Sequence, residues 1–488
     1  MRTVVLAAMA AIAHAQSVQM VTLPAKSPLV TISFVFRIGA ADDPPDKHGT
    51  ASLTAHMLAR GGTRDMNYQQ IVDAMFPMAT QVDFQTDKEM TAFRCETHVD
   101  NLDKFYGLMR SMLLEPGWRP EDLSRLRDDQ VNFLRVTLQG NNDEELGKEV
   151  LYNEIYRGHS YGHHNMGTVS HLQKLTMDDL KQFYRQKYTQ ANLIIGLAGG
   201  YPAEFEQRVR KDFGILPAGE IHPRNLPEPK EPDGLRVTIV DKETRSVAVS
   251  FGFPIAVKRG DPDFLPLLVM QSYFGQHRNS GGRLYQRMRE ARGLNYGDYA
   301  YIEYFPRGMF QFQPDPNLAR RQQIFQVWIL PLEPPTAHFG VRLALYELDR
   351  LVKNGLTQDD FARTRQFLVK NVNLLTSTKT AELGYAVDSL YYGTPDYNSY
   401  VKQGLARLKL EDVNRAIRKH LRTDRMRMVV VAKDGEKLKK TLLADAPSPM
   451  KYNAGKPKEL LQEDKLVENW PLKVQADVQV VAADTVFE

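Results

Sequence analysis

Apolar and polar positions along the chain fall into two kinds of run. Val30-Thr-Ile-Ser-Phe-Val-Phe36 and Val247-Ala-Val-Ser-Phe-Gly-Phe253 alternate as half-buried strands do. Leu193-Ile-Ile-Gly-Leu-Ala198 and Met426-Arg-Met-Val-Val-Val-Ala432 read as more continuous apolar strands, and the stretch around Cys95 suits another. Helical periodicity marks Thr50 to Arg60, stopped by Gly61-Gly62, then 102–114 and 120–138, the last opening on Pro120-Glu-Asp. Segments 264–274, 337–354 and 358–376 carry the same period.

These runs occur in the same order twice. The strand at Val30 parallels the one at Val247. Leu175-Thr-Met-Asp-Asp-Leu180 parallels Leu408-Lys-Leu-Glu-Asp-Val413, and each of those begins a helix that leads into a strand. Two ordered matches at nearly one spacing indicate an internal duplication. Between the copies, Leu216 to Gly234 holds Pro217, Pro223, Pro227, Pro229 and Pro232, which lack a backbone donor and favour an extended linker. The division is therefore 16–215, a linker at 216–234, 235–445, and a polar extension at 446–488 in which Val474 to Val481 alternates weakly. Strands, then helices, then a closing strand in each copy predict an α+β fold: two homologous sandwich domains, each a mainly antiparallel sheet with helices on one face.

Composition narrows the function. A chain of 488 residues exceeds one core, and 42% hydrophobic with 25% charged residues is an ordinary globular balance. Lys+Arg 63 against Asp+Glu 59 gives a net charge of +4 without a dense basic run, which argues against nucleic-acid binding. Met-Arg-Thr, the apolar run Val4 to Ala13 and Ala13-His14-Ala15 form a signal-peptide pattern over 1–15. That run falls short of the ~20 residues of a membrane anchor. Export is expected, with the bacterial periplasm as the expected compartment. Cys95, the single cysteine, excludes an internal disulfide and reads as a buried core residue.

The chemistry sits on Gly49-Thr-Ala-Ser-Leu-Thr-Ala-His-Met-Leu-Ala-Arg-Gly-Gly-Thr63, preceded by a strand, Arg37-Ile-Gly-Ala and an acidic, proline-containing loop. Together these resemble the pitrilysin/insulinase family of zinc peptidases, the inverzincins, whose helix carries H-x-x-E-H. Positions i and i+4 share a helix face, so both histidines can reach one metal. Here the segment reads Ser52-Leu-Thr-Ala55-His56. Ser52 stands for the first ligand and Ala55 for the glutamate base, and His56 alone matches. The resemblance puts a third ligand, a glutamate, near Asn132, where the sequence has none. Catalytic zinc needs about three protein ligands, so no metal is expected on this chain. His56 reads as a neutral, hydrogen-bonded histidine. A second group, His159, His163 and His164, lies in a segment that looks like an exposed loop of the family and is a weaker metal candidate.

The second copy holds Ser280-Gly-Gly-Arg-Leu-Tyr-Gln-Arg-Met-Arg-Glu-Ala-Arg-Gly-Leu-Asn-Tyr296, which resembles the family's R-E-x-R-G-L-x-Y segment. Arg289 and Tyr296 match its functional pair, and Gly293 is placed to end the helix. The resemblance implies that Tyr296 donates to the oxyanion of a tetrahedral intermediate while Arg289 holds substrate carbonyls, both acting on a partner's site. The plainer alternative is that both residues cap and pack a helix end. Arg283, Arg287 and Arg292 are expected to face solvent or make structural pairs.

The resemblance thus implies the zinc-free subunit of a heterodimeric peptidase, comparable to the zinc-free chain of the mitochondrial processing peptidase. Its partner would be a homologous subunit with intact H-x-x-E-H and the zinc, and its substrate a peptide or unfolded polypeptide. The alternative is a catalytically inactive homologue acting as a scaffold or peptide-binding protein.

Overall fold

The computed structural model describes residues 18–221, 226–308 and 310–488; the leader read at 1–15 lies outside them. Two sheets organise the chain. The first contains β1 (Gln19–Pro24), β2 (Leu29–Phe36), β3 (Asp83–Thr86), β4 (Thr91–His98) and β5 (Leu193–Gly199), in the order β1-β5-β2-β4-β3. The second contains β6 (Leu235–Asp241), β7 (Val247–Ile255), β8 (Gly297–Tyr301), β9 (Gln323–Leu332), β10 (Met426–Ala432) and β11 (Gln479–Ala482), in the order β11-β6-β10-β7-β9-β8. Without β11 the two orders are the same strand for strand. In each sheet the first strand pairs parallel with the closing one and the remaining pairs of that shared set are antiparallel. This is the mainly antiparallel α+β architecture expected from the repeated pattern.

Helices Thr50–Arg60, Leu102–Leu114 and Ala203–Phe213 contribute apolar side chains to one core with the first sheet, and Phe264–Gly275, Ala337–Asn354 and Leu410–His420 do the same for the second. Val30, Ile32, Phe34 and Phe36 are at most 1% exposed. Burying a side chain of that size contributes roughly 1.5–3 kcal/mol, so this strand anchors the first core.

The alternation in β2 and β7 suggested strands with one wet face, and the structure corrects this. Thr31, Ser33, Val35 and Ser250 are buried as well, because the opposite face of each sheet carries a helix from the other half. Helix Lys379–Tyr392 lies on the first sheet, where a Cβ on Gly196 would meet Leu383 at 3.1 Å. Helix Asp143–Ile155 lies on the second, where a Cβ on Gly147 would meet Ser250 and Val431 at 3.4 Å. Small residues at these points let helix and sheet approach closely. Ionic contacts also join the halves: Arg320, 1% exposed, sends Nε to Asp87 Oδ2 at 2.7 Å, and that carboxylate is itself fully buried.

The extension packs on the body. Helix Lys458–Val467 is held by Arg292 (to Asp464 Oδ1, 2.8 Å) and Arg350 (to Glu463, 3.1 Å), and β11 adds a parallel strand beside β6. Phe487 then reaches the first half, 5.3 Å from the His164 ring. The described residues of the proline-rich linker form no helix or strand. No helix among the described residues is long and apolar enough to cross a membrane.

Candidate functional site

Helix Thr50–Arg60 begins after Gly49, whose φ of 98° lies in the left-handed region that glycine tolerates. Asp43 caps it, accepting from Gly49 N at 2.6 Å and Ala51 N at 2.7 Å. Burial pushes this carboxyl up to about 7 despite those donors. The cap fixes the helix so that Ser52 and His56 stand one turn apart on one face. Ala55 is buried in the apolar core, with no group there to take a proton.

Gln130, on helix Pro120–Asn132, completes the constellation that sequence reasoning placed near Asn132. Its Nε2 lies 3.1 Å from Ser52 Oγ and 2.9 Å from His56 Nδ1. His56 Nδ1 is also 2.8 Å from the Ser52 carbonyl oxygen, and the Phe84 ring meets the imidazole edge-on at 4.7 Å. Nδ1 can donate to that carbonyl or accept from the carboxamide, not both. Burial lowers the His56 pKa to about 4, so the ring is neutral. Three side chains from two helices converge here. The donors do not fit zinc: a hydroxyl, a carboxamide and one imidazole replace two imidazoles and a carboxylate. The buried Gln130 Oε1 has no hydrogen-bond partner, an orphan where a ligating oxygen would be expected. Gln130 escaped the sequence reading because the search was for a carboxylate; its near-isostere lay two residues from the expected position.

In the second half, the segment from Arg283 runs through a turn of α-helix into a π-helical stretch, Gln286–Glu290. Gly293, at φ 69°, reverses it, with its N–H donating to Arg289 O at 2.8 Å and Leu294 N–H to Met288 O at 3.1 Å. This turn brings Tyr296 back beside Arg289. The guanidinium lies 5.1 Å from the Tyr296 ring centroid and 5.0 Å from that of Tyr285, and Nη1 donates to the Tyr296 carbonyl at 3.3 Å.

The neighbouring arginines are committed elsewhere. Arg283 and Arg287 bind Glu347 at 2.9 and 2.7 Å, and Arg287 and Arg292 bind Glu463. Arg289 makes no ion pair among the described residues. Tyr296 is 71% exposed and opens onto a cleft that Arg278, Tyr299 and Phe312 also line, with Glu144 from the crossing helix Asp143–Ile155. An exposed phenol beside a guanidinium can donate to, and electrostatically stabilise, an incoming carbonyl oxygen.

The histidine group differs from its sequence reading. His159, His163 and His164 are all buried, at 8%, 6% and 7% exposure, and not on an exposed loop. His163 stacks on His48 with ring centroids 3.9 Å apart and planes at 4°, while His159 packs against Tyr156 and Tyr161. No cluster of three or more His, Cys, Asp or Glu suited to a metal occurs among the described residues. Cys95 is buried on β4, 3.3 Å from Met109 Sδ.

Comparison with known proteins gives this geometry a family. A curated relative from Helicobacter pylori, described as a non-peptidase homolog YmxG, is 21% identical over 413 residues, covering 83% of this chain and 89% of that protein. One from Bacillus subtilis, described as an uncharacterized zinc protease YmxG, is 24% identical over 60% of this chain and 70% of its own length. A crystal structure of a peptidase M16 inactive domain from Pseudomonas fluorescens superposes with a TM-score of 0.73 at 21% identity, over 86% of this chain and 96% of that one. The family model for insulinase, peptidase family M16, matches residues 20–169, and that for the peptidase M16 inactive domain matches 174–368. Matched through most of its length by these two models of one family, the chain belongs to the insulinase (M16) peptidase family.

Proposed function

We propose that this chain is the zinc-free subunit of an exported insulinase-type metallopeptidase, acting in the bacterial periplasm. It would lend Arg289 and Tyr296 to a zinc site on a homologous partner that carries intact H-x-x-E-H. The observation that carries this reading is the contrast within one chain. The Ser52, His56 and Gln130 group lacks the donors zinc needs, whereas Arg289, which makes no ion pair among the described residues, stands beside an exposed Tyr296. In the assembled enzyme Arg289 would hold a substrate carbonyl, and the Tyr296 hydroxyl would donate to the oxyanion that forms when water adds to the scissile carbonyl. The partner would supply the metal and the base, and the substrate would be a peptide or an unfolded polypeptide.

Gentle purification from the native host should recover a second chain with intact H-x-x-E-H in equal amount. In that complex Tyr296→Phe should lower kcat by roughly a hundredfold, the loss typical of one oxyanion donor. Recovery of the chain alone, or unchanged kcat in the variant, would defeat the proposal.

The description of the Helicobacter pylori relative as a non-peptidase homolog favours a second reading, an inactive scaffold or peptide-binding protein. Under it the chain binds peptide without cleavage, and Tyr296→Phe has no kinetic consequence.

A further inference from the structure

The duplication places a second hollow where the first half has its lost metal site. In the first half, Ser52, His56 and Gln130 meet between helices Thr50–Arg60 and Pro120–Asn132. The topological counterparts of those helices in the second half are Phe264–Gly275 and Gln358–Leu375. Leu368 stands as far along its helix as Gln130 does along its own. Between these two helices lies a hollow, part of it open to solvent, with Leu268 on one side and Leu368 and Val372 on the other.

Leu268, Leu368, Val372, Tyr301, Phe305 and Tyr397 line it, beside Gln271, which is spent on the Ala300 carbonyl oxygen, and a few charged groups. The charges in its lining are already matched. Arg259 binds Glu303 at 2.9 Å and Asp388 at 3.4 Å, and Asp315 is engaged by Arg307. His277 is spent on Tyr301 and on the Gln311 carbonyl oxygen, and burial lowers its pKa to about 4, leaving it neutral. The carboxamides of Gln276 and Asn371, half-buried at the margin, make no side-chain hydrogen bond among the described residues. An ion entering here would lose its hydration without gaining a counter-charge. An uncharged ring would keep its dispersion contacts and find two amides for a polar substituent.

We propose that this hollow is a binding site for an uncharged aromatic group bearing one hydrogen-bonding substituent, carried by a free small molecule or by the side chain of a polypeptide. It holds independently of the partner-site reading, since none of its residues belongs to the Arg289–Tyr296 pair.

Titrating the full chain with 1-naphthol, followed by the fluorescence of the probe, should reveal one saturable site. Val372→Phe, which fills the hollow, should weaken that binding at least tenfold while the circular dichroism stays native. Asn371→Ala should weaken 1-naphthol several-fold and leave naphthalene unchanged. Should Val372→Phe fail to fold, Leu268→Phe fills the same space from the facing helix. Competition by N-acetylphenylalaninamide would assign the site to polypeptide side chains, and 1-naphthol binding without that competition to free small molecules. Absence of saturable binding, or undiminished binding in a folded, filled variant, overturns the proposal.

Discussion

Restoring two side chains should rebuild a zinc site on this backbone. Ser52→His with Gln130→Glu would supply two imidazoles and a carboxylate, the ligand count that catalytic zinc requires. The three positions already converge: the Gln130 amide lies 3.1 Å from Ser52 Oγ and 2.9 Å from His56 Nδ1, and glutamate is close in shape to glutamine. Burial holds the His56 pKa near 4, so no proton competes with metal for that ring at neutral pH. Zinc at a hundred times its Kd stabilises the folded state by about 2.7 kcal/mol. An unfolding entropy of roughly 2 cal/mol/K per residue, taken over 488 residues, is about 1 kcal/mol/K. The Tm should therefore rise by about 3 °C when the chain melts as one unit. Thermal unfolding with and without zinc, paired with metal analysis after dialysis, measures this directly. The natural chain should show neither a shift nor retained metal. One zinc per natural chain would refute the argument from donor type. A native-like double variant that ignores zinc would refute the argument that the two helices keep the ancestral geometry.

Arg320→Met should cost about 3–5 kcal/mol in urea unfolding, because it strands the buried Asp87 charge. Adding Asp87→Asn should recover part of that loss, and equal costs for the single and double variants would contradict the pairing. The lowered His56 pKa means that the unfolded chain takes up a proton below pH 6.5 that the folded chain refuses until about pH 4. Stability should therefore fall as pH drops through this window, by up to roughly 3 kcal/mol, and urea midpoints of His56→Gln should show a shallower decline. Gly293→Ala should cost about 1–2 kcal/mol from backbone conformation alone, since φ is 69° and a Cβ there meets nothing within 4 Å. A calorimetric Tm equal to that of the natural chain would count against that reading.

Local signals account for what could be read before the fold was seen. Helices at Leu102–Leu114 and Ala337–Asn354 matched their periodicity from end to end, since the apolar positions of each enter the core beneath its own sheet. The paired strands β2 and β7 were legible for the same reason. What escaped depends on contacts between distant segments. Helices Asp143–Ile155 and Lys379–Tyr392 bury polar as well as apolar positions against the opposite half, so their faces blur. The hydroxyls of Thr31 and Ser33 pass for a solvent face until that helix is placed. His163 and His164 carry no local mark of burial, because their cover comes from Asp43, Glu149 and Phe487. Arg289 and Tyr296 were singled out by motif resemblance, but the commitment of Arg283 and Arg287 to Glu347 needs the fold, and that of Arg287 and Arg292 to Glu463 and Asp464 appears only when the extension is folded onto the body.

The crossed helices also explain how the first half shapes the candidate cleft of the second. Helix Asp143–Ile155 is encoded in the first half, yet it covers the inner face of the sheet whose edge strand follows Tyr296. Lys148 on that helix sits 3.5 Å over the Trp328 ring, and Glu144 forms part of the cleft beside Arg289 and Tyr296. Removing the first half would expose β7 and β10 and take away one wall of that cleft. Ser52 and Gln130 take no part in these contacts, because they lie on helices Thr50–Arg60 and Pro120–Asn132 and not on the crossing helix. The fold therefore separates two tasks that the first half could perform, holding a metal and shaping the opposite cleft, and the first can disappear while the second remains.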